Sequence, residues 1–112
     1  MLSEIDFQSL LIDLDAANKF ILAGENKKSR VIARQVAGKA IKIIFSQKFS
    51  GKLNHLNPYQ CIEEASKMPD IFQRVLPDIE ALTTRVNTDY SFPEELDLVN
   101  SAKNILLFVK DF

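Results

Sequence analysis

Hydrophobic positions recur at three- and four-residue steps along most of this chain, which is the period of amphipathic helices. From Glu4 to Ala23 the stripe is Phe7, Leu10, Leu11, Leu14, Ala17 and Ile21, with Ser3 placed to cap its start and Gly24 to end it. Glu25-Asn26 makes a short loop, and a second helix is predicted over roughly Lys27 to Lys48. Ile32, Val36, Ala40 and Ile43, with Ala33, Ala37 and Ile44 beside them, give it an apolar face wide enough to make it the expected central helix. Its polar stripe is narrow, Lys28, Gln35, Lys39 and Lys42, while Arg30 and Arg34 fall across the helix beside Ile41 and Phe45.

Periodicity lapses from Phe49 to Asn57, a connection that holds the single histidine, His55. It resumes at Asn57-Pro58-Tyr59-Gln60, where Asn suits a cap, Pro the first helical position, and Gln completes a capping box. Met68-Pro69 ends that short helix near Lys67. Phe72, Val75, Ile79, Leu82 and Val86 mark a further helical pattern, which Pro77 breaks or kinks near Leu76. Asn87 to Pro93 reads as a loop, Ser91 with Glu94 as another capping box, and Leu98, Val99, Ala102, Ile105, Leu106 and Val109 as the stripe of a last helix over Glu94 to Lys110. The expected fold is all-α, an antiparallel up-and-down bundle of four main helices plus a short extra one.

Composition agrees with one such domain spanning 1–112. Hydrophobic residues make up 46% of the 112, too many for a disordered chain, and three glycines with four prolines are too few for a many-stranded β fold. Cys61 has no second cysteine to bridge, and with His55 alone beside it the soft ligands of a structural zinc site are missing, so neither metal nor cofactor is expected. No apolar run is long enough to span a membrane, and Glu4 and Asp6 stand where a signal peptide carries lysines, which points to the cytoplasm.

Charge changes the picture more. The net charge of -1 is the sum of an acidic start (-4 over residues 1–18), a basic middle (+8 over 19–52) and an acidic remainder (-5 over 53–112). A basic helix between acidic segments attracts phosphate or an acidic partner, or simply forms solvated surface pairs. The glycines at 24, 38 and 51 form no phosphate-binding loop, so any phosphate must be held by side chains. Cys61 lies six residues after His55, but the acidic residues following it disfavour a thiolate, and it reads as a packing residue. Glu63-Glu64 and Glu94-Glu95 are adjacent pairs whose members diverge on a helix.

The remaining constellation is Arg85-Val86-Asn87-Thr88-Asp89-Tyr90. Arg85 offers a fork for phosphate, Asn87 and Asp89 polar recognition, and Tyr90 a stacking face. The same residues also read as a plain helix end, with Arg85 complementing the dipole and Asn87 capping.

The order of ILAGE, ARQVAGKAIKIIF, NHLNPYQCI, LTTRVNTDYSFPEELD and SAKNILLFVKDF resembles the HEPN domain family over nearly the whole chain. The resemblance implies a four- or five-helix bundle, commonly a homodimer, found beside a small nucleotidyltransferase or acting as a metal-independent, toxin-like ribonuclease of toxin-antitoxin systems. The ribonuclease branch carries an arginine and, after four to six intervening residues, a histidine. Here Arg85 is followed at those positions by Tyr90, Ser91 and Phe92, and phenol is a poor substitute for imidazole near neutral pH. The expectation is therefore a non-catalytic module binding nucleotide or RNA phosphate through Arg30, Arg34, His55, Arg85, Asn87 and Tyr90. The alternatives are a ribonuclease with an altered motif using Arg85, Tyr90 and His55, and a purely structural dimeric interaction domain.

Overall fold

In the computed structural model, which describes residues 2–84 and 97–112, every regular element among the described residues is helical. Helix α1 spans Glu4–Leu22, α2 Asn26–Lys48, α3 Pro58–Ser66, α4 Pro69–Phe72, α5 Leu76–Thr83 and α6 Leu98–Asp111, with a 3₁₀ turn at Gln73–Val75 between α4 and α5. The starts and stops follow local chemistry. The Ser3 hydroxyl accepts from the Asp6 N–H at 3.1 Å. At the other end of α1, Gly24 takes φ +80°, so that its N–H donates to the Ile21 carbonyl and the Glu25 N–H to the Phe20 carbonyl, the paired bonds of a left-handed helix stop. At α3 the Gln60 N–H donates to Asn57 Oδ1 at 2.8 Å and the Asn57 N–H to Gln60 Oε1 at 3.0 Å, completing the expected box.

One expectation is met and two need correction. Pro69 and Pro77 each sit in the first turn of a new helix, so the pattern breaks at Leu76 as expected, with the 3₁₀ turn joining α4 to α5. Its buried positions, Phe72, Val75, Ile79 and Leu82, are those the period implies. Helix α5 stops at Thr83 instead of reaching Val86, because the Thr83 and Thr84 hydroxyls both donate back to the Glu80 carbonyl and Thr84 turns extended at ψ 132°. Helix α6 begins at Leu98, not Glu94: Asp97 is extended, and its carboxylate accepts the Asn100 N–H at 3.0 Å. Val86 and the Ser91 to Glu94 capping box lie outside the described residues.

The core forms around α2, which packs on α1, α3 and α6, while α5 covers α3 and α6. The buried face of α2 comprises Ala33, Val36, Ala37, Gly38, Ala40, Ile41, Ile44 and Phe45, with Ser29 also enclosed. Relative to the expected stripe it is turned toward Ile41 and Phe45, and Ile32 and Ile43 are only half-buried. Gly38 permits this turn, because Pro58 of α3 lies directly on its Cα. In α1 full burial ends at Ala17, and Ile21, placed in the stripe by its spacing, is 42% exposed.

Candidate functional site

Arg34 lies in the middle of α2 on the side facing α5, and its guanidinium is already committed. Nε donates to the Leu82 carbonyl at 2.9 Å and Nη2 to the Thr84 carbonyl at 2.6 Å, while the same group lies 5.9 Å from the centre of the Tyr59 ring. These are last-turn carbonyls of α5, which have no intrahelical partners, so the arginine caps the helix and neutralises its negative end. Arg34 thus anchors the segment that leads, in sequence, to Arg85. Arg30, one turn earlier, is half-buried on the same side of α2. Arg85, Asn87 and Tyr90 lie outside the described residues. Charge-assisted bonds of this kind contribute about 1.5–3 kcal/mol each, with much overlap when shared by one group. Arg34→Met is therefore expected to lower unfolding free energy by roughly 2–3 kcal/mol in urea denaturation. Arg34→Lys should restore only part of it, because an ammonium lacks the planar fork. Full rescue by lysine would show that charge alone matters there.

A different set of cations is free to meet a ligand. Between the C-terminal half of α2 and the 49–57 connection, Lys39, Lys42, Ile43, Ser46 and Asn54 line an open cleft of about 390 Å3. The connection is tied down at both sides of His55. Ser46 Oγ donates to Asn54 Oδ1 at 3.2 Å, and Lys42 Nζ donates to the Leu56 carbonyl at 3.1 Å. Ser50 at φ +51° and Gly51 at φ +82° fold the chain back sharply enough for this return. Lys42 keeps two further N–H groups, Lys39 is exposed, and the Asn54 amide retains its NH2 after accepting from Ser46. His55 is exposed between the two tethered residues, and it is not among the residues that line the cleft. The lysines stood in the polar stripe visible in the sequence, and Ser46 continues it one turn on. Nothing in the sequence marked Asn54.

Cys61 is fully buried in α3 and carries no solvent-reachable nucleophile. Burial pushes its thiol up from the ordinary value, and the Lys42 ammonium pulls it part of the way back. In the native protein the thiol therefore stays protonated at a pH where the unfolded chain, at about 8.5, releases its proton. The unfolded state then binds fewer protons, and stability falls as pH rises beyond that point. Urea midpoints measured between about pH 8 and 9.5 should fall more steeply for the native sequence than for Cys61→Ala; parallel slopes contradict the assignment. Among the described residues there is no cluster of three His, Cys, Asp or Glu able to hold a metal, and no helix is long and apolar enough to cross a membrane.

Comparison of the chain with protein-family models, with curated proteins and with solved structures gives no match.

Proposed function

We propose that this chain is a non-catalytic, HEPN-type binding module that holds the phosphate of a nucleotide or RNA where α2 meets the 49–57 connection. One observation carries the reading: Lys39, Lys42, Ser46 and Asn54 converge on a single open cleft within the most basic stretch of the chain. Two ammonium groups supply the charge, and the Asn54 NH2 supplies a directed donor, oriented by the Ser46 hydroxyl whose one proton goes to Asn54 Oδ1. The tether from Lys42 to Leu56 holds the connection against α2 before any ligand arrives, which reduces the ordering cost of binding. In this reading Arg34 acts indirectly, by fixing the end of α5 from which residues 85–90 continue. The helices in this reading form an antiparallel up-and-down bundle whose four main members are α1, α2, the α4–α5 pair and α6, with α3 as the short extra helix. The molecule is a cytoplasmic homodimer that partners a small nucleotidyltransferase, a part of the proposal supported by the sequence resemblance.

Among the described residues the cleft is lined by lysines, Ile43, Ser46 and Asn54, so it reads charge and offers no aromatic face on which to stack a base. Affinity should therefore follow phosphate count, triphosphate above monophosphate above nucleoside, with little preference among bases, and should weaken with salt. Melting curves against a nucleotide panel and a short RNA test this. Ligand at about a hundredfold over its Kd adds about 2.7 kcal/mol, on the order of ten degrees in a domain of this size. The shift should vanish in Lys39→Gln/Lys42→Gln. An unmoved melting temperature with every phosphate ligand, or a shift that survives the double substitution, removes the reading. Labelled RNA should remain intact, and cleavage lost in Arg85→Ala would establish the ribonuclease in its place.

A further inference from the structure

Helix α1 has two faces, and only one of them is covered. Phe7, Leu10, Leu14 and Ala17 are buried, whereas Ile5 and Ile12, one heptad apart, lie roughly 170° around the helix from that stripe and are 83% and 68% exposed. Isolated exposed apolar side chains are ordinary, but these two form part of a shape. Ile5, Gln8, Ser9 and Ile12 occupy positions i, i+3, i+4 and i+7, the four corners of a hole that accepts a knob from another helix. They line a shallow groove together with Glu4 and Asp13, and the short Ser9 side chain leaves room between the two isoleucines.

The charges that the first three turns of α1 carry beside this hole are of one sign. On the helical wheel Glu4 and Asp15 run along one side of the isoleucine stripe and Asp6 and Asp13 along the other, and no base occurs before Lys19. Lys19 is paired with Asp15 at 3.3 Å. Carboxylates on both flanks repel nucleic acid and anionic lipid surfaces, and they match a helix that carries lysine or arginine on both sides of its own apolar stripe. We infer that the outer face of α1 is a docking surface for a basic amphipathic helix of a partner protein, which seats an aliphatic knob between Ile5 and Ile12 over Ser9 and pairs its cations with Glu4, Asp6 and Asp13. This surface is separate from the lysine cleft on α2 and does not rest on the phosphate-binding proposal.

The test titrates the full-length chain into fluorescently labelled basic amphipathic peptides long enough to lie along α1, with acid-flanked peptides of the same apolar stripe as controls. Saturable binding of the basic peptides, weakening as salt is raised, is expected, with none to the acidic ones. Ile5→Ser/Ile12→Ser and Asp6→Asn/Asp13→Asn should each weaken it by about tenfold or more in Kd, while Lys39→Gln/Lys42→Gln leaves it unchanged. The isoleucines are exposed, so the melting temperature of the first variant should match that of the parent and keep the comparison valid. The inference fails if no basic peptide binds saturably, or if binding is indifferent to the isoleucine pair. It also fails if sedimentation finds a self-association that Ile5→Ser/Ile12→Ser abolishes, since the face then belongs to a second copy, or if the chain binds lipid vesicles through the isoleucines.

Discussion

Gly38→Ala is expected to destabilise the protein by roughly 2–3 kcal/mol, although the same exchange in an uncrowded helix interior stabilises by about 0.8–1.0 kcal/mol. The sign turns on what the methyl group meets. A Cβ at position 38 would overlap the carbonyl oxygen, carbonyl carbon and Cα of Pro58. These are backbone atoms at the first turn of α3, held by the Asn57–Gln60 capping box, so no side chain is available to swing aside. The two helices must separate, and the contacts of the fully buried Cys61, Ile62 and Ala65 loosen with them. Chemical denaturation measures the loss, and a neutral or stabilising result would mean that α3 does not sit on α2 at this position. The displacement should also reach the site: moving Pro58 moves Leu56 and Asn54, so phosphate affinity is expected to fall even though no ligand-facing group is changed.

Phe72→Ala should be the most damaging single truncation, costing about 3–5 kcal/mol. Domains of this size have about 5–15 kcal/mol in all, so the melting temperature would fall by on the order of 20 °C. Phe72 sits on the four-residue α4, which has too few hydrogen bonds to persist alone and is held by what this one side chain touches. Its ring is fully buried and meets Phe45 of α2 edge-on, 6.0 Å between centres at 85°, and Phe108 of α6, 6.0 Å apart and tilted at 46°. Phe45 in turn meets Phe49 at 5.8 Å, so the loss is felt along a line of rings that joins three helices and the start of the connection. Phe72→Leu separates the causes. It keeps most of the apolar volume and removes the two ring pairs, which are worth about 0.5–1.5 kcal/mol each, so it should cost about 1–3 kcal/mol, less than the alanine. Equal losses for the two variants would mean that ring geometry, and not the cavity, dominates.

The candidate site was partly legible. Lys39 and Lys42 stand out as a polar stripe on an otherwise wide apolar helix, and the +8 balance of residues 19–52 marks the region as anion-seeking. Their donor partner Asn54 lies eight residues beyond Ser46 across an irregular turn, and no periodicity connects the two. Arg34 was recognisable as an arginine out of register with the polar stripe, but its use was not. A guanidinium beside apolar positions can meet a ligand or the end of another helix, and the choice depends on where α5 terminates. Two threonines and the fold of α5 against α3 and α6 set that point.

Helical class, the order of the helices and most of their ends were written in the sequence, because each depends on groups within a turn of one another: Ser3 and the Asp6 N–H, Gly24 and its left-handed φ, Asn57 with Gln60, proline at positions 58, 69 and 77. The three-dimensional packing settled the rest. It assigned Arg34 to two carbonyls forty-eight and fifty residues away, brought Asn54 and Leu56 back to Ser46 and Lys42, laid Pro58 on Gly38, and left Ile5 and Ile12 facing outward. The physical reason is range. A cap or a helix stop is fixed by local hydrogen bonds, whereas the use made of a cation, a glycine or an exposed isoleucine depends on which distant surface arrives beside it.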